Sequence, residues 1–201
     1  MRVLFLGAHC DDIELGCGGL INQRHKSWDI TCMTFSQIVV NELIPLREYS
    51  IAALSALGVD PTQLVYRQLL PSSFPHYADF IWKELQWIKP DLVFTQEPDD
   101  HQDHTTLFNT TMRAFPPGTS IVTYRATSRS CPAFPANLYA PLSQAELANK
   151  VQAIEKYQPV YSHKPYLRPE AIKAQAVVDG LVIGCDAAEA FHIVRASTNI
   201  L

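Results

Sequence analysis

The sequence of 201 residues lacks several features that mark large classes of protein. It has only five cysteines, at positions 10, 17, 32, 131 and 185, and none of them forms a CxxC pair. An odd number of scattered cysteines argues against a disulfide framework and against a zinc site built from thiolates. Any metal site must therefore use histidine and carboxylate side chains.

Long apolar runs and runs of one charge are also missing. No apolar stretch reaches the roughly 18 residues that a membrane span needs, and the apolar run at 3–6 passes directly into polar residues, unlike a secretory signal. Sixteen basic and 20 acidic residues give a net charge of −4, without the stripe of Lys and Arg that nucleic acid requires. We expect no membrane span, no nucleic-acid partner and a cytoplasmic location.

What the sequence does contain is typical of a globular protein. Hydrophobic residues make up 47% of the chain and charged residues 18%, so a chain of this length can bury one sizeable core. We find no internal repeat, low-complexity tract or domain boundary, and we expect a single domain over residues 1–201. The sequence does not determine whether the protein is a monomer or a homo-oligomer.

Apolar runs alternate with segments of helical periodicity along the chain. The run at 2–8 is nearly continuously apolar, as in a strand buried on both faces of a parallel sheet. Further strands are predicted at 29–35, 63–67, 91–95, 120–125 and 188–194, and helices at 18–26, 46–57, 77–88, 104–114 and 142–157. The proline-rich stretch at 131–141 is interpreted as an irregular crossing. This alternation predicts an α/β fold with a doubly wound, mostly parallel sheet and helices on both faces.

Two polar clusters follow two of these predicted strands directly. Residues 9–12 (HCDD) come after the first strand, and residues 99–104 (DDHQDH) follow the strand at 91–95. In an open α/β sheet, ligands bind at the carboxyl ends of strands where the strand order reverses, so the two clusters are expected to meet. Solvated loop residues or helix caps are the alternative for either cluster alone. Together they offer more than the three ligands that a catalytic metal needs.

Both clusters also match family motifs. Residues 7–19 (GAHCDDIELGCGG) closely resemble the signature A-H-P-D-D-x-E-x-G-x-G-G of the PIG-L/LmbE-like zinc-dependent N-deacetylases, and residues 101–104 (HQDH) resemble their second motif, H-x-D-H. The resemblance extends through Arg47 and Glu48 to residues 188–191, and so spans nearly the whole chain. Cys10 departs from the family's usual proline, and the loop at 36–43 lacks the glycine-rich character often seen there. The fold that the resemblance implies is a Rossmann-like αβα sandwich.

The resemblance assigns a role to each polar residue of the motifs. It implies that His9, Asp12 and His104 bind a zinc ion and that Asp11 is the general base for a metal-activated water. His101 is expected to stabilise the oxyanion or to protonate the leaving amine as an imidazolium, and Asp103 to orient the His101 ring. The substrate implied is a small N-acyl amino sugar, with acetyl as the expected acyl group.

Some interpretations remain open at this point. Arg47 is a candidate contact for a substrate hydroxyl or phosphate, with a surface ion pair as its alternative. Two imidazoles and one carboxylate also bind Fe²⁺ in oxygenases, although those enzymes are all-β barrels and this chain is predicted to be α/β. A metal-free module that binds sugars or nucleotides on the same fold is the other candidate, because a fold does not determine a function.

Overall fold

The computed structural model describes residues 1–38, 46–126 and 134–197. The strands within these ranges are β1 (Arg2–His9), β2 (Asp29–Ser36), β3 (Leu64–Tyr66), β4 (Leu92–Gln96), β5 (Ser120–Tyr124), β6 (Leu138–Pro141) and β7 (Ala188–Arg195). The α-helices are α1 (Asp12–Arg24), α2 (Arg47–Ala56), α3 (Ala78–Leu85), α4 (Gln102–Ala114), α5 (Gln144–Glu155), α6 (Gln158–Tyr161) and α7 (Pro169–Ile183). Short 3₁₀ helices are formed by Pro61–Gln63, Phe74–Tyr77 and Pro165–Leu167.

The seven described strands form one sheet in the order β3-β2-β1-β4-β5-β7-β6. The strands from β1 to β5 are parallel, and β7 runs antiparallel to both β5 and β6. The strand order reverses between β1 and β4, which are neighbours. The predicted α/β sandwich with a mostly parallel sheet is confirmed.

Side chains of β1 alternate between two cores, one on each face of the sheet. Val3 and Phe5 join a core with residues of α1, α2 and α5, whereas Leu4 and Leu6 join a core with residues of α3 and α4. Both faces are therefore covered, which explains why β1 has a nearly continuous apolar sequence. No helix of the described ranges combines the length and the apolar character that a bilayer crossing needs.

The connection from β1 to α1 is much tighter than the sequence pattern predicts. The helix begins at Asp12 rather than at residue 18, so the predicted polar loop is largely the first turns of a helix. Only Cys10 and Asp11 separate the strand from the helix, and Asp11 has φ 106°, a left-handed conformation that is strained for a residue with a side chain. Glycines inside α1 permit close packing, since a Cβ on Gly16 would lie 2.0 Å from the Tyr124 ring.

A buried ion pair from the C-terminal part of the chain is inserted against the middle of α1. The Glu189 carboxylate accepts hydrogen bonds from the backbone N–H groups of Gly19 and Leu20, both at 2.7 Å. The Lys150 ammonium donates to the Leu15 carbonyl at 2.6 Å and to Glu189 at 2.7 Å. These contacts fix the orientation of α1, and therefore of the turn that carries Asp11.

The C-terminal part contains two elements that the sequence analysis did not identify. Residues 138–141, interpreted as part of an irregular crossing, form the edge strand β6, and residues 131–133 of that stretch lie outside the described residues. The helix α7 also has no counterpart among the predicted elements. The strand predicted at 188–194 is confirmed as β7, but it is antiparallel to β5.

Candidate metal centre

The two polar clusters meet at the carboxyl edge of the sheet, where the strand order reverses. The rings of His9 and His104 have centroids 5.4 Å apart, and Asp12 lies between them and the end of β4. Gln96, the last residue of β4, donates a hydrogen bond to Oδ2 of Asp12 at 2.6 Å. The meeting of the clusters that the sequence predicts is therefore observed.

Each of these histidines is oriented by a carboxylate at one ring nitrogen and turns the other nitrogen toward Asp12. Nε2 of His9 lies 3.0 Å from Oδ2 of Asp103, and Nδ1 of His104 lies 2.7 Å from Oδ2 of Asp99. The opposite nitrogens, Nδ1 of His9 and Nε2 of His104, lie 3.5 and 3.7 Å from the Asp12 carboxylate. A carboxylate behind each imidazole is the usual arrangement around metal-binding histidines, because it fixes the tautomer and the ring orientation.

The nitrogen of His104 that faces Asp12 is left without a hydrogen-bond partner. Nε2 is buried and has no hydrogen bond, although a buried polar atom nearly always has one. His9, Asp12 and His104 each offer a ligand atom, and these atoms lie within 4.8 Å of one another. The donor set of two imidazoles and one carboxylate matches catalytic sites for zinc. The residues therefore fit a divalent metal, and the unpartnered nitrogen has the position of a ligand.

The protonation of this cluster competes with metal binding. Burial lowers the pKa of His9, but hydrogen bonds to Asp103 and Asp12 outweigh it and raise the pKa to about 10. Burial acts to raise the pKa of Asp12, but the neighbouring His104 and His9 reverse this effect and hold the pKa below its usual range. Without a metal, a proton on His9 balances the nearby carboxylates. Metal binding would displace that proton, since a ligand nitrogen must be deprotonated.

Asp11 lies beside this cluster, and its side chain does not cap the helix. It is the N-cap residue of α1 by position, yet the carboxylate makes no capping hydrogen bond, and it is only 5% exposed. Burial and the nearby Asp12 carboxylate raise the pKa of Asp11 to about 8. The Lys164 ammonium lies 3.9 Å from Oδ2 of Asp11 and opposes this rise. A carboxylate with a pKa near neutrality is well matched to general base catalysis.

His101 is held as a neutral imidazole with a defined tautomer. It is the N-cap residue of α4, and its Nδ1 accepts a hydrogen bond from the backbone N–H of Asp103 at 3.2 Å. Burial and the nearby His9 and His104 rings lower the pKa of His101 to about 4. The remaining proton therefore lies on Nε2, which can donate a hydrogen bond. The lowered pKa favours the neutral form over the expected imidazolium, and the catalytic role of His101 stays a prediction.

Asp103 also differs from its expected position. Its carboxylate lies 4.0 Å from Nδ1 of His101 but only 3.0 Å from Nε2 of His9, so its side chain orients the other histidine. The same carboxylate accepts hydrogen bonds from the backbone N–H groups of Ser72 at 2.6 Å and Phe74 at 3.0 Å. The His101 ring is positioned by the Asp103 backbone instead.

The remaining candidate, Arg47, lies at the same sheet edge but not in the cluster. It begins α2, is exposed, and places its guanidinium 5.4 Å from the centre of the Tyr66 ring. Among the described residues, no contact joins it to His9 or Asp12. Gln96, Asp99 and Lys164 also contact the cluster, although the sequence pattern assigned no role to them. Asp99 stands just before the second motif, so its position in the sequence indicates a place near the cluster. Lys164 lies in no motif, so the neighbouring sequence does not indicate its contact with Asp11.

Comparison with solved structures shows the same fold in several proteins. The N,N'-diacetylchitobiose deacetylase from Pyrococcus horikoshii matches with a TM-score of 0.77 at 16% identity, covering 100% of this chain and 88% of that one. The teicoplanin deacetylase Orf2, in its zinc-inhibited form, matches with a TM-score of 0.73 at 16% identity, covering 98% and 100%. The 4-carboxy-2-hydroxymuconate hydratase GalB from Pseudomonas putida matches with a TM-score of 0.71 at 13% identity, covering 98% and 97%.

A comparison of sequences identifies the family of the chain, which structural similarity at such low identity does not. No curated protein matches the chain. The family model described as PIG-L, GlcNAc-PI de-N-acetylase, matches residues 4–115, which is more than half of the chain and includes both motifs. The chain therefore belongs to the PIG-L family of de-N-acetylases, as its motifs predict, and is a hydrolase of N-acetyl amide bonds.

Proposed function

We propose that this protein is a zinc-dependent hydrolase that removes an acetyl group, or another short acyl group, from the nitrogen of an amino sugar or amino-sugar conjugate. The observation that carries the proposal is the orientation of His9 and His104. Each ring is fixed by a carboxylate at its far nitrogen and turns its other nitrogen toward Asp12. A binding module without a metal would have no use for this arrangement.

His9, Asp12 and His104 would hold the metal through Nδ1, a carboxylate oxygen and Nε2. A bound zinc ion would polarise the amide carbonyl and acidify a water molecule. Fe²⁺ accepts the same ligand set, and the residues do not discriminate between the two ions. Gln96 holds the Asp12 carboxylate from the side of β4.

Asp11 and His101 supply the proton transfers and the hydrogen bonds of the reaction. The Asp11 carboxylate, buried beside the ligands, would accept a proton from the attacking water and could return it to the leaving amine. The N–H of His101 at Nε2 would donate to the oxygen that becomes negative when the carbonyl is attacked. A neutral donor is adequate for this task, because it is already oriented by the backbone of α4.

The substrate class is supported by the family and by the structural neighbours. The family model is that of a GlcNAc-PI de-N-acetylase, and two neighbours are deacetylases of N,N'-diacetylchitobiose and of teicoplanin. The hydratase with the same fold shows why the reaction has to be tested and not inferred from the fold.

The test is acetate release from N-acetylated amino sugars, free and glycosidically linked, by protein first stripped of metal and then reloaded. Zinc is added at one equivalent and in excess, because one neighbour has a zinc-inhibited form, and Fe²⁺ is added separately without oxygen. We expect release only after a metal is restored, with about one metal per chain by elemental analysis. Equal rates with and without metal would refute the metal-dependent mechanism.

A further inference from the structure

The helix α7 is apolar on two opposite sides, and the rest of the chain covers only one of them. On the inner side, Ile172 and Ala176 are buried in the cores of the molecule. On the outer side, apolar residues recur at positions i, i+3, i+4, i+7 and i+8, which form one continuous helix face. This outer stripe consists of Ala174, Val177, Val178, Leu181 and Val182, all of them exposed. A helix that is apolar on both sides is normally buried on both.

The outer stripe has the size of a protein contact. Leu181 is 72% exposed and Val182 is 63% exposed. The five residues of the stripe together present roughly 400 Å² of apolar surface, a size at which exposed patches often have a function. A standard interface buries about 800 Å² on each partner, of which somewhat more than half is apolar. The outer stripe therefore supplies most of the apolar surface that one side of a stable dimer needs.

The composition of the outer side of α7 argues against a lipid surface as its partner. Helices that lie on membranes carry several lysines or arginines on the polar face, and aromatic residues on the apolar face. The helix α7 contains one lysine, Lys173, and neither an arginine nor an aromatic residue. The net charge of −4 would also oppose binding to anionic lipids. Branched aliphatic side chains without a charge are instead typical of the contact between two identical subunits.

The outer stripe is complementary to itself when two copies of α7 pack antiparallel. A two-fold axis between Val178 and Leu181 places each of these side chains level with the other one in the second copy, because a symmetric interface pairs residue i with j and j with i. Charges at the ends of the stripe also match. Lys173 is exposed at one end, and Asp186 is exposed just beyond the other end. The same axis brings Lys173 of each copy level with Asp186 of the other, so that opposite charges meet twice.

We propose that the outer stripe of α7 is the contact surface of a symmetric homodimer. The partner is a second copy of this chain, with its α7 antiparallel to the first and with Lys173 of each copy beside Asp186 of the other. The dimer does not depend on the proposed function, because its test measures a mass and not a reaction. Absence of hydrolase activity would therefore leave this inference standing, and a monomeric protein would leave the proposed function standing.

The experiment measures the mass of the full chain in solution by sedimentation equilibrium, at concentrations from about 1 to 100 µM. Leu181→Asp places a charge in the middle of the outer stripe. Leu70→Asp makes the same change at another exposed leucine, outside α7, and is the matched control. Because both leucines are exposed, both variants should keep their fold, which thermal unfolding checks.

We expect the wild type to approach twice the chain mass of 22.5 kDa at the higher concentrations. Leu181→Asp should weaken the dimer at least ~100-fold, because two uncompensated carboxylates would be buried at the axis. Leu70→Asp should dimerise like the wild type.

A charge exchange tests the antiparallel arrangement. Lys173→Glu and Asp186→Lys should each weaken the dimer about threefold to tenfold, because each change places like charges together at both ends of the interface. The double variant should dimerise like the wild type, because it exchanges the two charges and restores the pairing.

Four results would overturn the proposal. The wild type could remain a monomer at 100 µM, or Leu181→Asp could dimerise as well as Leu70→Asp, which would place the contact elsewhere. The charge-exchanged double variant could be weaker than either single variant, which would exclude the antiparallel pairing. A monomeric wild type could also bind phosphatidylcholine vesicles and lose that binding in Leu181→Asp, which would assign the outer stripe to a lipid surface.

Discussion

The region matched by the family model, residues 4–115, and the region after it contribute to one sheet edge in different ways. The first region holds all the candidate ligands and His101 at two strand-to-helix connections, one from the end of β1 to the start of α1 and one from β4 to the first turn of α4. The second region supplies neighbours to this cluster, because Lys164 and Tyr166 contact Asp11. The groups proposed to carry the reaction lie in short local motifs, whereas the groups that surround them come from distant points of the chain.

The two regions are also joined structurally through α1. The Glu189–Lys150 pair contacts backbone groups in the middle of this helix, one to two turns beyond Asp11. Removing one partner of such a buried pair typically costs about 3–5 kcal/mol, because the other charge is left uncompensated. The second region therefore fixes the position of the first, even where it does not contact the candidate ligands.

The largest effect is expected from loss of a ligand in the first region. Asp12→Ala and His104→Ala should each remove the bound metal and lower kcat/KM at least ~1,000-fold, because the polarising ion is lost. His76→Ala, at an exposed histidine outside the cluster, is the matched control and should keep both metal and activity. Elemental analysis and acetate release check this. Full metal content in both ligand variants would contradict the assignment.

A large effect with the metal retained is expected at Asp11. Asp11→Asn should lower kcat by about 100- to 10,000-fold, because the amide cannot accept a proton from water, and metal content should stay near one per chain. Asp186→Asn, an exposed position, serves as the control. Metal analysis beside steady-state kinetics separates a base from a ligand. If Asp11→Asn loses the metal, Asp11 belongs to the ligand set.

A smaller effect, with a diagnostic pH profile, is expected at His101. His101→Ala should lower kcat by roughly 100-fold through the loss of one oriented donor. Because burial and the nearby imidazoles lower the pKa of His101 to about 4, the ring is already neutral from pH 6 upward. The alkaline limb of kcat should therefore keep its midpoint in the variant. A displaced alkaline limb would show that the wild type uses an imidazolium.

The sequence pattern predicted most of the first region because its signals are local. The apolar run of β1 and the motif at 101–104 need no distant partner to be recognised. The start of α1 was not predictable, because a left-handed Asp11 and three glycines in a helix contradict local propensities. Tertiary contacts stabilise the helix there, among them the packing of Tyr124 against Gly16 and the hydrogen bonds that Glu189 accepts from the helix backbone.

The second region was predicted less well because its signals depend on tertiary structure. The helix α7 exposes apolar side chains, including Val178, Leu181 and Val182, so it has no single apolar face that periodicity could detect. The strand β6 is a four-residue edge strand that ends in Pro141. Lys164 lies near Asp11 only because of the tertiary structure, and no local motif indicates that contact.

The smallest effect is expected when Lys164 is replaced. This prediction tests whether a residue of the second region changes the pKa of Asp11 in the first. The Lys164 ammonium lies 3.9 Å from the Asp11 carboxylate and acts to lower its pKa. Lys164→Met should therefore raise the pKa of Asp11 and move the acid limb of kcat/KM upward by about one pH unit. Above that limb Asp11 is ionised in both proteins, so the plateau rate should change less than about threefold.

Lys164→Arg should restore the wild-type limb, and Lys156→Met, at an exposed lysine, should leave it unmoved. An acid limb that stays in place in Lys164→Met, or a plateau that falls without any shift, would show that Lys164 does not act on Asp11.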